Sequence, residues 1–261
     1  MSILSLNIRG LGRPEKCRAV KNIVNIHKPF LLFLQETKLK HFDYRTLKYL
    51  GSSLLTKGVG VDLISSAGGL LSLWDDEVFA VSNCITNDRC IIVSGMLLKI
   101  KKEVRFCNVY AANKEEERMG LCQYILNAQI SLPGIWVIGG DFNTVLDQNE
   151  RVGGIGNVGS MRNFKGFIDA ARVVDLPLQG MAFTWTNNRE VGSWARLDRF
   201  LCSPEFLSWF PSIIQKGLSR SLSDHNPVLL GEPREDWGPK PFRFQNGWLE
   251  CKEKMRAVHD S

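Results

Sequence analysis

Residues 135–143, reading Ile-Trp-Val-Ile-Gly-Gly-Asp-Phe-Asn, constrain this chain more than any other stretch. Four apolar residues rich in β-branched types suit a short strand buried on both faces. Two glycines follow, and without a Cβ they let the backbone turn and admit a close neighbour. Then come a carboxylate, Asp141, and a carboxamide, Asn143, a spacing that puts both side chains on one side of an extended backbone. A rigid strand thus delivers an acceptor-only group and a donor–acceptor group at its carboxyl end, where α/β folds build sites. An Asx-type turn would use the same Gly-Asp-x-Asn letters. On this stretch alone the two readings balance, and the rest of the chain decides between them.

Residues 3–7 form a second short strand, ending in Asn7 and followed by the turn Arg9-Gly10-Leu11-Gly12. Pro14 opens a helix, whose Cys17, Val20, Ile23, Val24 and His27 recur at helical spacing and which stops before Pro29. Residues 30–34 are again a fully apolar strand, and they deliver Gln35, Glu36 and Thr37 at their end. A basic, helical or irregular connection spans residues 38–50. Sheet-like patterns follow at 69–74, 78–84, 90–100 and 104–110, with Asp75-Asp76 as a polar turn and Tyr110 closing the last strand beside Asn108. Residues 114–130 read as an amphipathic helix with Met119, Cys122, Ile125, Leu126 and Ile130 inward.

Gly154-x-Gly156-x-x-Gly159 matches the dinucleotide fingerprint in letters, yet it follows a polar turn and not a buried strand, which that motif requires. It reads instead as a glycine loop leading to a helix capped by Ser160, with Phe164, Phe167, Ile168 and Ala171 inward. Residues 181–186 and 193–202 read as two strands of a hairpin, the second carrying Asp198. Pro204 starts a short helix, and Ile213-Ile214 marks a short strand. Ser223-Asp224-His225-Asn226-Pro227 precedes a closing strand at 228–230. Prolines 233, 239 and 241 then punctuate a charged, aromatic tail, so the compact domain is expected to cover residues 1–232 and the tail residues 233–261.

Composition narrows the classes. The chain of 261 residues carries 33 basic and 27 acidic side chains, a net charge of +6, which favours an anionic partner such as nucleic acid. No apolar run approaches the ~18–20 residues of a membrane span, and residues 2–7 read as a strand, not a basic leader. Seven cysteines, odd in number and without a C-x-x-C pair, read as thiols in a reducing compartment and not as zinc ligands or disulfides. A protein inside the cell, nuclear or cytoplasmic, is expected.

The polar residues that end apolar strands are Asn7, Glu36, Tyr110, Asp141, Asn143, Asp198, Asp224 and His225. The stretches Leu-Asn-Ile-Arg-Gly, Leu-Gln-Glu-Thr-Lys, Asn-Val-Tyr, Gly-Gly-Asp-Phe-Asn, Arg-Leu-Asp-Arg and Ser-Asp-His-Asn-Pro carry them, in that order. In this order and context the chain resembles the endonuclease/exonuclease/phosphatase superfamily from residue 3 to about residue 230. Within it, Phe183-Thr184-Trp185-Thr186-Asn187-Asn188-Arg189 and Gly238-Pro239-Lys240-Pro241-Phe242-Arg243-Phe244-Gln245-Asn246 most resemble the apurinic/apyrimidinic-type endonuclease domain of plant LINE-like (non-LTR) retrotransposons. The sequence ends at Ser261, before any reverse transcriptase, as a stand-alone copy or a relic fragment of such an element would.

The resemblance implies an α/β, DNase I-like fold, a four-layered sandwich of two mixed β-sheets flanked by helices. It also implies a Mg²⁺-dependent DNA endonuclease that nicks one strand, with Mn²⁺ as a substitute, acting as a monomer without membrane attachment or a further small-molecule cofactor. Glu36 is then the first metal ligand, with Asn7 and Asp224 beside it, as a hard cation prefers oxygen donors. Asp141 would orient and deprotonate water, Asn143 and Tyr110 would hold phosphate oxygens, and His225, oriented by Asp198, would stabilise developing charge. Arg9, Thr184, Asn187, Asn188 and Arg189 are the expected DNA contacts, the last three on a hairpin tip placed to enter a groove. An abasic-site repair endonuclease and a catalytically silent retroelement relic are the alternatives. An inositol-lipid phosphatase is disfavoured, because the Trp-x-Gly-Asp-x-Asn-x-Arg pattern of such enzymes is absent.

Overall fold

Short strands of near-continuous apolar residues set the architecture of this computed structural model, which describes residues 1–51, 53–63, 68–154, 156–187, 192–220 and 222–233. In chain order the elements are β1 (Ser2–Asn7), α1 (Pro14–His27), β2 (Leu31–Gln35), α2 (Tyr44–Leu50), β3 (Lys57–Val61), β4 (Leu70–Trp74), β5 (Phe79–Thr86), β6 (Cys90–Leu97), β7 (Lys102–Tyr110), α3 (Glu115–Ser131) and β8 (Ile135–Asp141). The second half continues with β9 (Arg151–Val152), α4 (Val158–Ala171), β10 (Val174–Asp175), β11 (Leu178–Gln179), β12 (Trp185–Thr186), β13 (Trp194–Ala195), β14 (Asp198–Cys202), α5 (Pro204–Trp209), β15 (Ile214–Gly217) and β16 (Val228–Gly231).

One sheet has seven strands in the order β11-β15-β16-β1-β2-β4-β3, and a second has six in the order β10-β14-β8-β7-β6-β5. Both are mixed. Each contains a parallel pair joined by a crossover helix, β1–β2 through α1 and β7–β8 through α3, and the seven-stranded sheet has a second parallel pair in β11–β15. The strands alternate sides as their period demands. Ile3, Leu31 and Phe33 face inward against Ile91, Val93, Phe106, Val137 and Phe200 of the other sheet. Leu4, Leu32 and Leu34 face outward beneath Val20, Val24, Leu47 and Leu50 of α1 and α2. On the far side, Ile92, Cys107, Trp136 and Ile138 lie beneath Leu121, Ile125, Phe164 and Phe167 of α3 and α4. The result is the four-layered α/β sandwich of the sequence reading. None of the helices among the described residues is long and apolar enough to cross a membrane.

Two glycines make the organising strand possible. A Cβ on Gly139 would lie 2.3 Å from the Phe200 ring, and one on Gly140, whose φ is +142°, would lie 2.0 Å from the Val109 carbonyl oxygen. Side chains there would push β8 off both neighbours, so the pair lets β7, β8 and β14 close up just before Asp141. Behind that end, a buried polar bridge ties the sheets together. Gln35 Nε2 donates to Asn108 Oδ1 at 2.7 Å and to Ser5 Oγ at 3.1 Å. Asn108 Nδ2 in turn donates to the Leu71 carbonyl at 3.0 Å. Buried polar groups need partners, and here the two sheets supply them for Asn108 and for Gln35 Nε2.

Several sequence expectations are corrected. Met119 and Ile130 are 51% and 79% exposed, because α3 buries the Leu121/Ile125 stripe instead. Asn157, not Ser160, caps α4, its Oδ1 accepting from Ser160 N at 3.0 Å. The hairpin of 181–186 and 193–202 shrinks to β12 and β13, which join β9 in a three-stranded sheet, while β14 belongs to the six-stranded one. The break falls at Arg196 and Leu197, where Arg196 N donates to the Glu150 carbonyl and Leu197 N to Thr184 Oγ1. The glycine loop leaves the short strand β9 and enters α4, with positive φ at Gly153 and Gly154. Cys90, Cys107 and Cys202 are buried free thiols, whereas Cys84 is exposed. The tail from residue 234 lies outside the described residues.

Candidate active site

Strand register brings the polar strand ends together. In the six-stranded sheet Tyr110, Asp141 and Asp198 are direct neighbours across β7, β8 and β14. In the seven-stranded sheet Asn7 pairs with Gln35, immediately before Glu36. The sheets meet through Asn7, whose Nδ2 donates to Glu36 Oε1 and to Asp141 Oδ2, each at 2.9 Å. The other Asp141 oxygen accepts from Asn143 N at 2.9 Å, and Asn143 Nδ2 donates to the Ala111 carbonyl at 2.8 Å. Asn143 has a φ of +50°, a left-handed conformation that asparagine tolerates better than most residues.

His225 reaches this cluster because β16, the strand it precedes, pairs with β1. Its Nδ1 lies 2.8 Å from Asp198 Oδ2 and its Nε2 lies 3.8 Å from Asp141 Oδ2. The segment is pinned on both sides. Ser223 Oγ accepts from His225 N at 3.1 Å and donates to the Asn7 carbonyl at 2.6 Å. A β-bridge links Trp185 to His225, and Trp185 Nε1 donates to Asp224 Oδ2 at 3.0 Å. Of the expected residues, Asn7, Glu36, Tyr110, Asp141, Asn143, Asp198, Asp224 and His225 therefore converge at one end of the sandwich.

The electrostatics follow from burial and close charges. Burial raises the Asp141 carboxyl to about 7, with Asp198 adding to it and His225, Asn7 and the Asn143 N–H pulling the other way. Burial also disfavours the charged form of His225, but Asp198 and Asp141 outweigh it and lift the imidazole to about 9. The Tyr110 phenol is raised above its ordinary value by burial first and then by the Glu36 and Asp141 carboxylates, so it remains a donor. Among the described residues, His225 Nε2, Asp198 Oδ1 and Asp224 Oδ1 are buried without a hydrogen-bond partner. Other such atoms lie elsewhere, among them Arg196 Nε and Arg199 Nε, but these three gather where the strand ends converge and an incoming polar group could bond them.

Two donor sets could hold a metal. Asp141, Asp198 and His225 have ligand atoms within 4.8 Å of one another. Glu36 and Asp224 offer carboxylate oxygens, beside an Asn7 that turns its Nδ2 toward Glu36 and Asp141 and its Oδ1 toward Arg9 N. A set that includes an imidazole suits zinc and other transition metals, whereas carboxylate oxygens suit magnesium and manganese. The oxygen set is therefore the better fit for a hard divalent ion.

The expected DNA contacts divide. Thr184 is a correction: it is fully buried, and its Oγ1 accepts from Leu197 N and Asp198 N, each at 3.0 Å. It positions Asp198 and cannot reach a DNA surface. Asn187 closes the hairpin by accepting from Ser193 N at 2.9 Å, and Asn188 and Arg189 lie outside the described residues. Arg9 stands inside the site, with Nε 2.9 Å from Asp224 Oδ1 and 3.6 Å from Glu36 Oε1. Sequence reasoning also passed over a buried four-charge ring beside Asp198. Arg199 pairs with Glu150 at 2.8 Å and Asp175 at 2.7 Å, and Arg196 pairs with the same two acids at 2.9 and 2.7 Å. The signal lay in Arg-Leu-Asp-Arg, whose arginine at 199 sits in an otherwise apolar strand.

Comparison with known proteins agrees with this fold. The model of the Endonuclease/Exonuclease/phosphatase family matches residues 4–225. A 3′ phosphatase, NExo, from Neisseria, bound to a product DNA hairpin, is similar in structure with a TM-score of 0.69 and 18% identity, over 90% of this chain and 100% of that one. The AP endonuclease LMAP from Leishmania major superposes with a TM-score of 0.69 at 15% identity, over 89% of this chain and 88% of that one. The endonuclease domain of TRAS1, a telomere-specific non-LTR retrotransposon, does so with a TM-score of 0.67 at 15% identity, over 90% and 99% of the two chains. With its sandwich, its converging strand ends and a family match over most of its length, this chain belongs to the endonuclease/exonuclease/phosphatase family.

Proposed function

We propose that this chain is a Mg²⁺-dependent phosphodiesterase that nicks one strand of DNA. The observation that carries the reading is the buried Asp141–Asp198–His225 cluster with unpartnered His225 Nε2 beside an all-oxygen set built on Glu36. Glu36, with Asn7 and Asp224, would hold the metal, which when bound would neutralise charge on the phosphate and polarise its oxygens. Asp141, with a pKa near the working pH, accepts the proton of the attacking water. His225, held by Asp198 through Nδ1, presents a charged Nε2–H toward the phosphodiester as negative charge develops. Tyr110 donates a second hydrogen bond from its neutral phenol. One Asn143 N–H is committed to Ala111, which leaves its other free for a phosphate oxygen.

DNA as substrate is supported by the net charge of +6 and by the DNA-processing relatives of the same fold. The likeness of the 183–189 stretch to plant LINE-like endonucleases favours an origin in a non-LTR retrotransposon, and thus intact DNA over abasic sites as target. The test is plasmid nicking. Supercoiled plasmid should relax in Mg²⁺ and stay supercoiled in chelator, without any need for abasic sites. Glu36→Gln should need at least about 10–100-fold more Mg²⁺ for the half-maximal rate, the loss seen when support around a metal ligand is removed. A variant with unchanged Mg²⁺ dependence would take Glu36 out of the ligand set.

A further inference from the structure

The position of Arg9 carries a consequence for how the site takes up its cation. The backbone beyond β1 runs beside that beyond β2, with Gly10 N donating to the Glu36 carbonyl at 2.6 Å and Leu11 N to the Thr37 carbonyl at 2.8 Å. Arg9 has a φ of +49°, a left-handed conformation that an arginine adopts rarely. Its own peptide is held there from both directions. Arg9 N donates to Asn7 Oδ1 at 3.2 Å, and Lys16 Nζ reaches from α1 to the carbonyls of Ile8 and Arg9 at 2.7 and 2.8 Å. From this turn the side chain reaches Asp224 and Glu36.

The guanidinium accordingly spans two carboxylates that come from opposite ends of the sequence. It is 2.9 Å from Asp224 Oδ1 and 3.6 Å from Glu36 Oε1, while its side chain remains 44% exposed. Asp224 Oδ1 still has no hydrogen-bond partner, so the contact with Arg9 is one of charge and not of aligned donation. Lys38, the next cation, is farther away, with Nζ 3.9 Å from Glu36 Oε2. Without a positive charge between them, the two carboxylates would repel. The arginine thus stands where the oxygens proposed as metal ligands would need a cation, held by charge alone and free to leave on its solvent side.

We propose that Arg9 is an exchangeable cation that occupies the Glu36–Asp224 pair until a divalent ion takes the same oxygens, and that it thereby sets the metal affinity of the site. This rests on the reading of Glu36 as a metal ligand. The guanidinium and the metal cannot both satisfy these carboxylates at close range, because each would place a positive charge against the other. Loading the metal therefore includes displacing Arg9.

Binding of Mn²⁺ to the full-length chain, followed by loss of the free-ion signal in electron paramagnetic resonance, tests the exchange without any turnover. Arg9→Gln, which removes the competing charge and leaves both carboxylates, should bind Mn²⁺ about five- to tenfold more tightly than the unaltered chain. Arg9→Lys keeps the charge and should stay within about twofold of it. Unchanged or weaker binding by Arg9→Gln would overturn the exchange, as would an Arg9→Lys variant that binds as tightly as Arg9→Gln. Glu36→Gln separates the two levels of the argument. If it loses Mn²⁺ affinity while Arg9→Gln is unchanged, only the exchange is wrong. If Glu36→Gln binds like the unaltered chain, the ligand assignment fails and the exchange falls with it.

Discussion

Asp141→Asn is expected to lower the single-turnover rate of DNA nicking by about 10²–10⁴-fold, the usual contribution of a positioned general base. The substitution nearly preserves shape, so the loss would be chemical. Asp141 now accepts from two donors, Asn143 N on one oxygen and Asn7 Nδ2 on the other. An asparagine offers one oxygen and one amide, so it keeps one bond and opposes donor to donor at the second. Asn7 can recover by turning its own carboxamide, at the expense of its bond to Glu36. DNA affinity in chelator should change little, because Asp141 is only 1% exposed. A rate within about threefold of the unaltered chain would remove Asp141 from the base role.

Arg199→Met should destabilise the fold by about 3–5 kcal/mol, the cost of removing one partner from a buried ion pair. Arg199 is 0% exposed, its guanidinium lies between Glu150 and Asp175, and it sits 5.4 Å from the Phe164 ring centroid. Methionine fills much of the volume but leaves two acids facing each other with only Arg196 between them. The ring also holds the chain on either side of Asp198, since Arg199 Nη2 donates to the Arg196 carbonyl at 2.8 Å and Glu150 accepts from Leu146 N at 2.7 Å. Equilibrium unfolding in urea gives the magnitude. A loss below about 1 kcal/mol would place the ring with exposed pairs that contribute little.

These two positions show what the sequence reveals and what it hides. Asp141 was legible because several apolar strands, not this one alone, deliver polar groups at their boundaries, and the same logic picked out Asn7, Glu36 and His225. The Asx-turn reading of Gly-Asp-x-Asn also holds, since Asp141 Oδ1 accepts from Asn143 N. Asn7, Glu36 and Asp141 end apolar runs and His225 stands just before one, so local pattern and tertiary role coincide. Arg199 fails that test, since its neutralising acids come from residues 150 and 175, and no local pattern predicts such a partner. Thr184 was misread for a related reason. Its hydroxyl serves backbone donors at 197 and 198, a contact made only when β12 and β14 separate into different sheets. The strand β3 escaped notice because Lys-Gly-Val-Gly-Val has too little apolar bulk to register as a strand. Gly60 is required by Phe42, whose Cβ would lie 2.8 Å from an added Cβ, and Gly58 by the Leu73 side chain of β4. Arg9 was expected as a DNA contact, and the turn that aims it at Asp224 and Glu36 depends on Lys16 and on the neighbouring strand end.

The pH dependence of the single-turnover nicking rate at saturating Mg²⁺ tests most directly whether this buried cluster performs the hydrolysis. Asp141 works as a base only once it has lost its proton, so the rate should rise with pH through about 7. His225 stabilises negative charge only while it keeps its proton, so the rate should fall as pH rises through about 9. The predicted profile is a bell with its maximum between those values, and Asp141→Asn should lose the acid limb while His225→Ala loses the alkaline one. A rate that is flat across roughly pH 6–10, or an acid limb that survives in Asp141→Asn, would contradict the assignment of the chemistry to this site.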